Sequence, residues 1–128
     1  MKEVIGEPLV LADGARMPLS RGVAAGGFIF VSGQLGFGPD GELVEGGVSV
    51  QTQKTLLNIE AILQQAGATL DDVVKVTGWL ASETDFPLFN EVYGAFFKFS
   101  PPARSMVVSK LLIPGALVEL EAVAVCKT

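Results

Sequence analysis

Apolar positions change their spacing several times along the chain, and each change predicts an element. The run "GGFIFVSGQLG" at 26–36 is β-rich and bounded by glycines, which predicts a buried strand. Pro39, Asp40 and Gly41 follow in the order a tight turn favours. From Ser49 to Ala66 the period lengthens: Leu56, Ile59, Leu63 and Ala66 stand three and four apart, and Gly67 closes the stretch as a helix C-cap. Residues 73–82 alternate again, with Val74, Val76 and Leu80 on one face and Lys75, Thr77 and Trp79 on the other. A second helix is predicted from Asp85 to Phe99, capped by Thr84 or Asp85, with Pro87 in its first turn and Phe89, Val92 and Phe96 as its stripe. The chain then reads as two strands, 103–109 and 117–126, joined as a hairpin by a loop carrying Pro114 and Gly115. This order predicts an α+β fold, a mixed β-sheet with two helices packed on one face, as a single domain over 1–128. The uncovered sheet face is then the natural seat for partner subunits.

Composition sharpens that picture. Hydrophobic residues make up 49% of the 128 and charged residues 18%, more apolar surface than a small core conveniently hides, which favours burial between subunits. Nine basic against 14 acidic residues give a net charge of −5 with no Lys/Arg cluster, against the pattern of a nucleic-acid binder. Histidine is absent, which removes His-based triads, His general bases and nearly all zinc sites, so no metal is expected. The lone Cys126 has no internal disulfide partner. No stretch of about 18 apolar residues is present, and "MKEVIGEPLVLADGARM" breaks too early for a signal peptide, so a cytoplasmic protein without a membrane partner is expected.

Candidate chemistry concentrates in the last two strands. Arg104 enters one of the most apolar quarters of the chain, and a period of two places Glu119 and Glu121 on one face, with Val118, Leu120 and Ala122 on the other. A hairpin would bring 104–108 alongside 119–122, so that arginine and carboxylate share a pocket. A guanidinium fork grips a substrate carboxylate through two parallel charge-assisted hydrogen bonds, and a nearby glutamate orients water and moves protons. An Arg–Glu pair on a solvated strand face fits the same spacing, and spacing leaves both readings open. The phenylalanines at 86, 89, 96, 97 and 99 read as helix packing, and Trp79 as packing or an interface anchor.

Several stretches together resemble the RidA/YjgF family of enamine/imine deaminases, whose older description is endoribonuclease L-PSP. They are "FIFVSGQLGFGPDGELVEGG", "TQKTLLNIEAILQQAGATLDDVVKVTGWL", "DFPLFNEVYGAFF" and "PPARSMVV…ALVELEAVAV", in that order over nearly the whole chain. The resemblance implies a chorismate-mutase-like fold and a homotrimer with clefts between neighbouring subunits. By it, Arg104 is the arginine that binds the substrate carboxylate and Glu119 the glutamate that positions the hydrolytic water. Ser32 and Gly33 are implied as pocket residues and Asn90 as a helix asparagine supporting the pocket. Two positions depart from the family pattern. Leu19, in "MPLSRG", stands where many members carry a cleft tyrosine, and Met106 stands where cysteine is frequent, which makes the expected pocket more apolar.

What the resemblance implies is cofactor-free hydrolysis of 2-aminoacrylate-type enamines and their 2-imino acid tautomers to a 2-keto acid and ammonia. The substrate would be a small carboxylate, with no nucleic acid as partner. Two other readings stand beside it. One is a non-catalytic, small-carboxylate-binding or regulatory trimer, which Leu19 and Met106 favour. The other is a ribonuclease, against which the net charge and the lack of histidine argue.

Overall fold

A computed structural model describes residues 1–126. Among them, six strands form one mixed sheet: β1 (Glu3–Ile5), β2 (Gly22–Ala25), β3 (Phe28–Gln34), β4 (Val73–Leu80), β5 (Ala103–Val108) and β6 (Val118–Val125). Two helices, α1 (Gly47–Gln65) and α2 (Phe86–Phe96), pack together against one face. The strand order is β1-β2-β3-β6-β4-β5; β4 and β5 run parallel, and the other neighbours run antiparallel. This is the α+β architecture that the periodicity predicts.

The last two strands are not a hairpin. β5 follows β4 through α2, and a strand–helix–strand crossover leaves its two strands parallel. The segment 109–117 then steps over the end of β4: Ser109 N donates to Leu80 O at 3.0 Å, and Ala81 N donates to Leu117 O at 3.0 Å. α1 clamps this segment through the buried Gln51, whose Nε2 donates to Gly115 O (3.1 Å) and whose Oε1 accepts from Leu117 N (2.8 Å). β6 is thereby delivered between β3 and β4, and β5 becomes the sheet edge.

Alternation decides what each face carries. Ile29, Val31, Val76, Leu80, Val118, Leu120, Ala122 and Ala124 point towards the helices and are buried with Leu56, Ile59, Ile62 and Leu63 of α1. Val74 does not join them. A bulge between Val73 and Lys75 takes it out of the alternation, leaving Val74 exposed and Val73 buried. α1 begins at Gly47, and Gly67, at φ +77, ends it in the left-handed conformation that only glycine adopts without strain.

α2 is shorter than its periodicity suggests. Ser82 caps a 3₁₀ turn at Glu83–Asp85 by accepting from Thr84 N, and the α-helix starts at Phe86 with Pro87 in its first turn. Its buried row is Phe89, Tyr93 and Phe97, with successive ring centroids 5.4 and 4.7 Å apart; Val92 and Phe96 lie on the flanks.

The second sheet face has no helix over it. Val4, Phe28, Phe30, Val107 and Val125 are exposed there, interleaved with Trp79, Thr77, Glu119 and Glu121.

Gly78 is tightly packed between β5 and β6. A Cβ there would lie 2.5 Å from both Leu120 Cδ2 and Met106 Sδ. Gly78→Ala is therefore expected to cost about 1–3 kcal/mol of stability through overpacking, read as a lower denaturant midpoint.

Candidate functional site

Arg104 pairs with Val76 and shares its parity, so it lies on the helix-side face of the edge strand, against α2. Its Nη1 donates to Asn90 Oδ1 at 2.9 Å. The guanidinium carbon sits 4.7 Å from the Tyr93 ring centroid and 5.6 Å from those of Phe86 and Phe89. Residues 86, 89, 90 and 93 are three, four and seven apart, which places them on one face of α2. The arginine is thus boxed by three rings and one neutral amide. Among the described residues, no carboxylate pairs with it. Of its five N–H donors, the amide takes one, and ring faces attract the charge without accepting the rest in full hydrogen bonds. A guanidinium held this way keeps its fork available to an incoming carboxylate.

The box contains one unsatisfied group. Tyr93 Oη is buried and has no hydrogen-bond partner. Burial pushes its pKa up to about 12, with the charge of Arg104 opposing the shift. Tyr93→Phe keeps the ring over Arg104 and removes an orphaned hydroxyl, so it is expected to gain about 1 kcal/mol in stability by denaturant titration. Met106 lies on the same face as Arg104, two residues on, with its sulfur packed over Gly78.

The other candidate residues occupy the uncovered face. Glu119 pairs with Trp79, and Glu121 with Thr77, so both carboxylates project from the side opposite Arg104. Glu119 is half-buried, and its pKa is raised above the ordinary glutamate range, first by burial and then by the charge of Glu121. Gly33 lies directly against it: a Cβ built there would fall on Glu119 Oε2. The β3–β6 register shifts between Val31 and Gln34, at Ser32 and Gly33. Ser32 Oγ donates to Ser20 O (2.5 Å), and Ser32 N donates to Arg21 O (2.9 Å), which ties the 20–21 segment to β3. Leu19 and Ser32 line an open concavity of about 570 Å³ together with Lys2, Arg16, Met17, Pro18, Ser20 and Val23.

The chain therefore places the candidate residues in two groups on opposite faces of the sheet. Arg104, Asn90 and Met106 lie on the helix side of the sheet; Glu119, Gly33, Ser32 and Leu19 lie on the other. The expected pocket shared by Arg104 and Glu119 does not form within one chain. β4 separates their strands, and Arg104 aligns through Val76 with Ala122, whose parity is opposite to that of Glu119. Phe86 and Phe89, expected only to pack the helix, also face the arginine, as does Tyr93. Their spacing around Asn90 along α2 carried that signal.

The family model described as endoribonuclease L-PSP matches residues 11–126. A RutC family protein of Pyrococcus abyssi is 46% identical over 108 residues, covering 84% of this chain and 85% of its own. The human 2-iminobutanoate/2-iminopropanoate deaminase is 41% identical over 115 residues, covering 89% of this chain and 84% of its own. Among solved structures, Escherichia coli TdcF with bound serine superposes with a TM-score of 0.84 at 34% identity, covering 96% of this chain and 98% of that one.

Proposed function

The chain belongs to the endoribonuclease L-PSP family, to which the RidA/YjgF resemblance points, and from that premise we propose that it is a hydrolytic deaminase of 2-aminoacrylate-type enamines and 2-imino acids. The observation that carries this reading is Arg104: a guanidinium caged by Phe86, Phe89 and Tyr93, held by Asn90, and unpaired with any carboxylate among the described residues. In a chain with 14 acidic residues, leaving this cation uncountered suits a carboxylate that arrives with the substrate.

The site is completed between subunits of a homotrimer. The exposed apolar residues of the uncovered face supply a surface for association, and the opposite placement of Arg104 and Glu119 gives each chain half of two clefts. Arg104 of one subunit holds the substrate carboxylate. Glu119 of its neighbour, beside Gly33 and Ser32, holds a water facing the imine carbon. Water attacks that carbon, its proton passes to Glu119, and the imine nitrogen takes up a proton to give a carbinolamine. Collapse of the carbinolamine expels ammonia and leaves the 2-keto acid. The raised pKa of Glu119 strengthens it as a base, and positioning supplies most of the remaining acceleration. The chemistry needs no cofactor, and we place it in the cytoplasm; no described helix is long and apolar enough to cross a membrane.

One observation favours a second reading, a carboxylate-binding regulatory trimer. Leu19 brings an apolar side chain to the concavity beside Ser32, where many family members carry a tyrosine hydroxyl. Turnover separates the two. Imino acids are generated in situ by an amino-acid oxidase with semicarbazide as the competing trap. The deaminase lowers semicarbazone formation and releases ammonia; carboxylate binding without either supports the regulatory trimer.

A further inference from the structure

We propose that the concavity lined by Leu19 is a subsite for a second anionic group, so that the preferred ligand carries two: a carboxylate at Arg104 and another anion at Arg16 and Lys2. This rests on the interfacial site proposed above, since it joins Arg104 of one subunit to the concavity of its neighbour.

The lining holds two cations, Lys2 and Arg16, and no acidic side chain. That is unusual in a chain whose acidic residues outnumber its basic ones by 14 to 9. Neither cation has a hydrogen bond or ion pair with any described residue. Both are carried on anchored backbone. Arg16 bridges to Val10, and the loop that bears it is tied by Leu11 N to Ala15 O (2.8 Å), Ala15 N to Asp13 Oδ1 (2.9 Å) and Met17 N to Leu9 O (2.9 Å). Lys2 immediately precedes β1, whose Glu3 pairs with Ala24 of β2, next to the lining residue Val23.

Lys2 and Arg16 both line this concavity, and an anion bound between two like charges turns their repulsion into attraction. Met17, Pro18, Leu19 and Val23 supply apolar wall, which suits the carbon spacer between two anionic ends. Ser32 lines the same concavity and adjoins Gly33, which abuts Glu119. The second anion would therefore sit on the side of the cleft where the water is held, at the far end of the substrate side chain. The ligand class is a short dianion, with either a carboxylate or a phosphoryl-type group at its distal end.

The test is titration calorimetry of the intact protein with butyrate, glutarate and 3-phosphonopropionate, which needs no turnover. Wild type is expected to bind glutarate about tenfold tighter than butyrate, the scale of one screened charge-assisted contact. Arg16→Gln should bring the two within about twofold of each other without weakening butyrate, while the charge-matched Lys54→Gln, on α1, leaves the preference intact. Tighter binding of 3-phosphonopropionate than of glutarate assigns the distal group as phosphoryl-type, and the reverse assigns it as carboxylate. Equal wild-type affinity for butyrate and glutarate, or equal effects of the two substitutions, overturns the second-anion subsite. A protein that deaminates imino acids with uncharged side chains yet shows no glutarate preference keeps its proposed function and loses only this inference.

Discussion

Glu119→Gln is expected to lower kcat for imine hydrolysis by about a hundredfold or more, the usual contribution of a positioned general base, while making the folded protein more stable at neutral pH. The two effects share one cause. Glu119 is half-buried and stands two residues along the same strand face from Glu121, so its charged form is disfavoured by burial and by a like charge. Its pKa in the folded chain therefore lies above the unfolded value. The contribution of this group to stability is fully present below the unfolded pKa and is lost as pH rises through the folded one. Glutamine keeps the shape and removes the charge, so its stabilising effect should be seen at pH 7 and fade in acid, where wild-type Glu119 is itself protonated. Thermal melts of both proteins from acid to neutral pH check this directly. The activity profile follows from the same shift: as a base, Glu119 works only when ionised. The acid limb of kcat/KM should lie above the ordinary glutamate range and disappear in Glu119→Gln.

Arg104→Ala is expected to cost about 1.5–3 kcal/mol in kcat/KM, ten- to a hundredfold, with most of the loss in KM for any imino acid. Arg104→Lys should recover little of it. A lysine retains the charge but not the planar fork, and an ammonium cannot donate to Asn90 and grip both oxygens of a carboxylate in the same arrangement. The three rings around the guanidinium sharpen the difference, because they match a flat, weakly hydrated cation better than a strongly hydrated point charge. A Lys variant with wild-type KM would mean that positive charge alone, without geometry, recruits the substrate.

Local periodicity made much of this fold legible. α1, the faces of β6 and the turn around Pro39 to Gly41 all lie where spacing and turn chemistry place them. Long-range choices were not legible. That β6 enters between β3 and β4 depends on the 109–117 segment being tied to the end of β4 and clamped by Gln51, contacts that no local pattern announces. Reading β5 and β6 as a hairpin followed their nearness in sequence, whereas β5 takes its direction from the crossover through α2. In α2, rows 89-92-96 and 89-93-97 both satisfy a helical period, and packing against the sheet selects the second. The bulge at Val74 likewise breaks an alternation that looks regular on paper.

The candidate site shows the same division. Arg104 and Glu119 were individually visible as the charged residues set into apolar strands. Their separation onto opposite faces was not, because it depends on β4 lying between them and on its register to each neighbour.

That separation is the centre of the account, and subunit mixing tests it most directly. Arg104→Ala and Glu119→Ala, each strongly impaired alone, are unfolded together in equal amounts and refolded. If each cleft takes Arg104 from one subunit and Glu119 from another, the mixture should recover about one quarter of wild-type activity, the random-pairing fraction for a site split across an interface. A mixture no more active than the average of its parents, although wild type survives the same treatment, would place both residues in one chain's site and contradict the account.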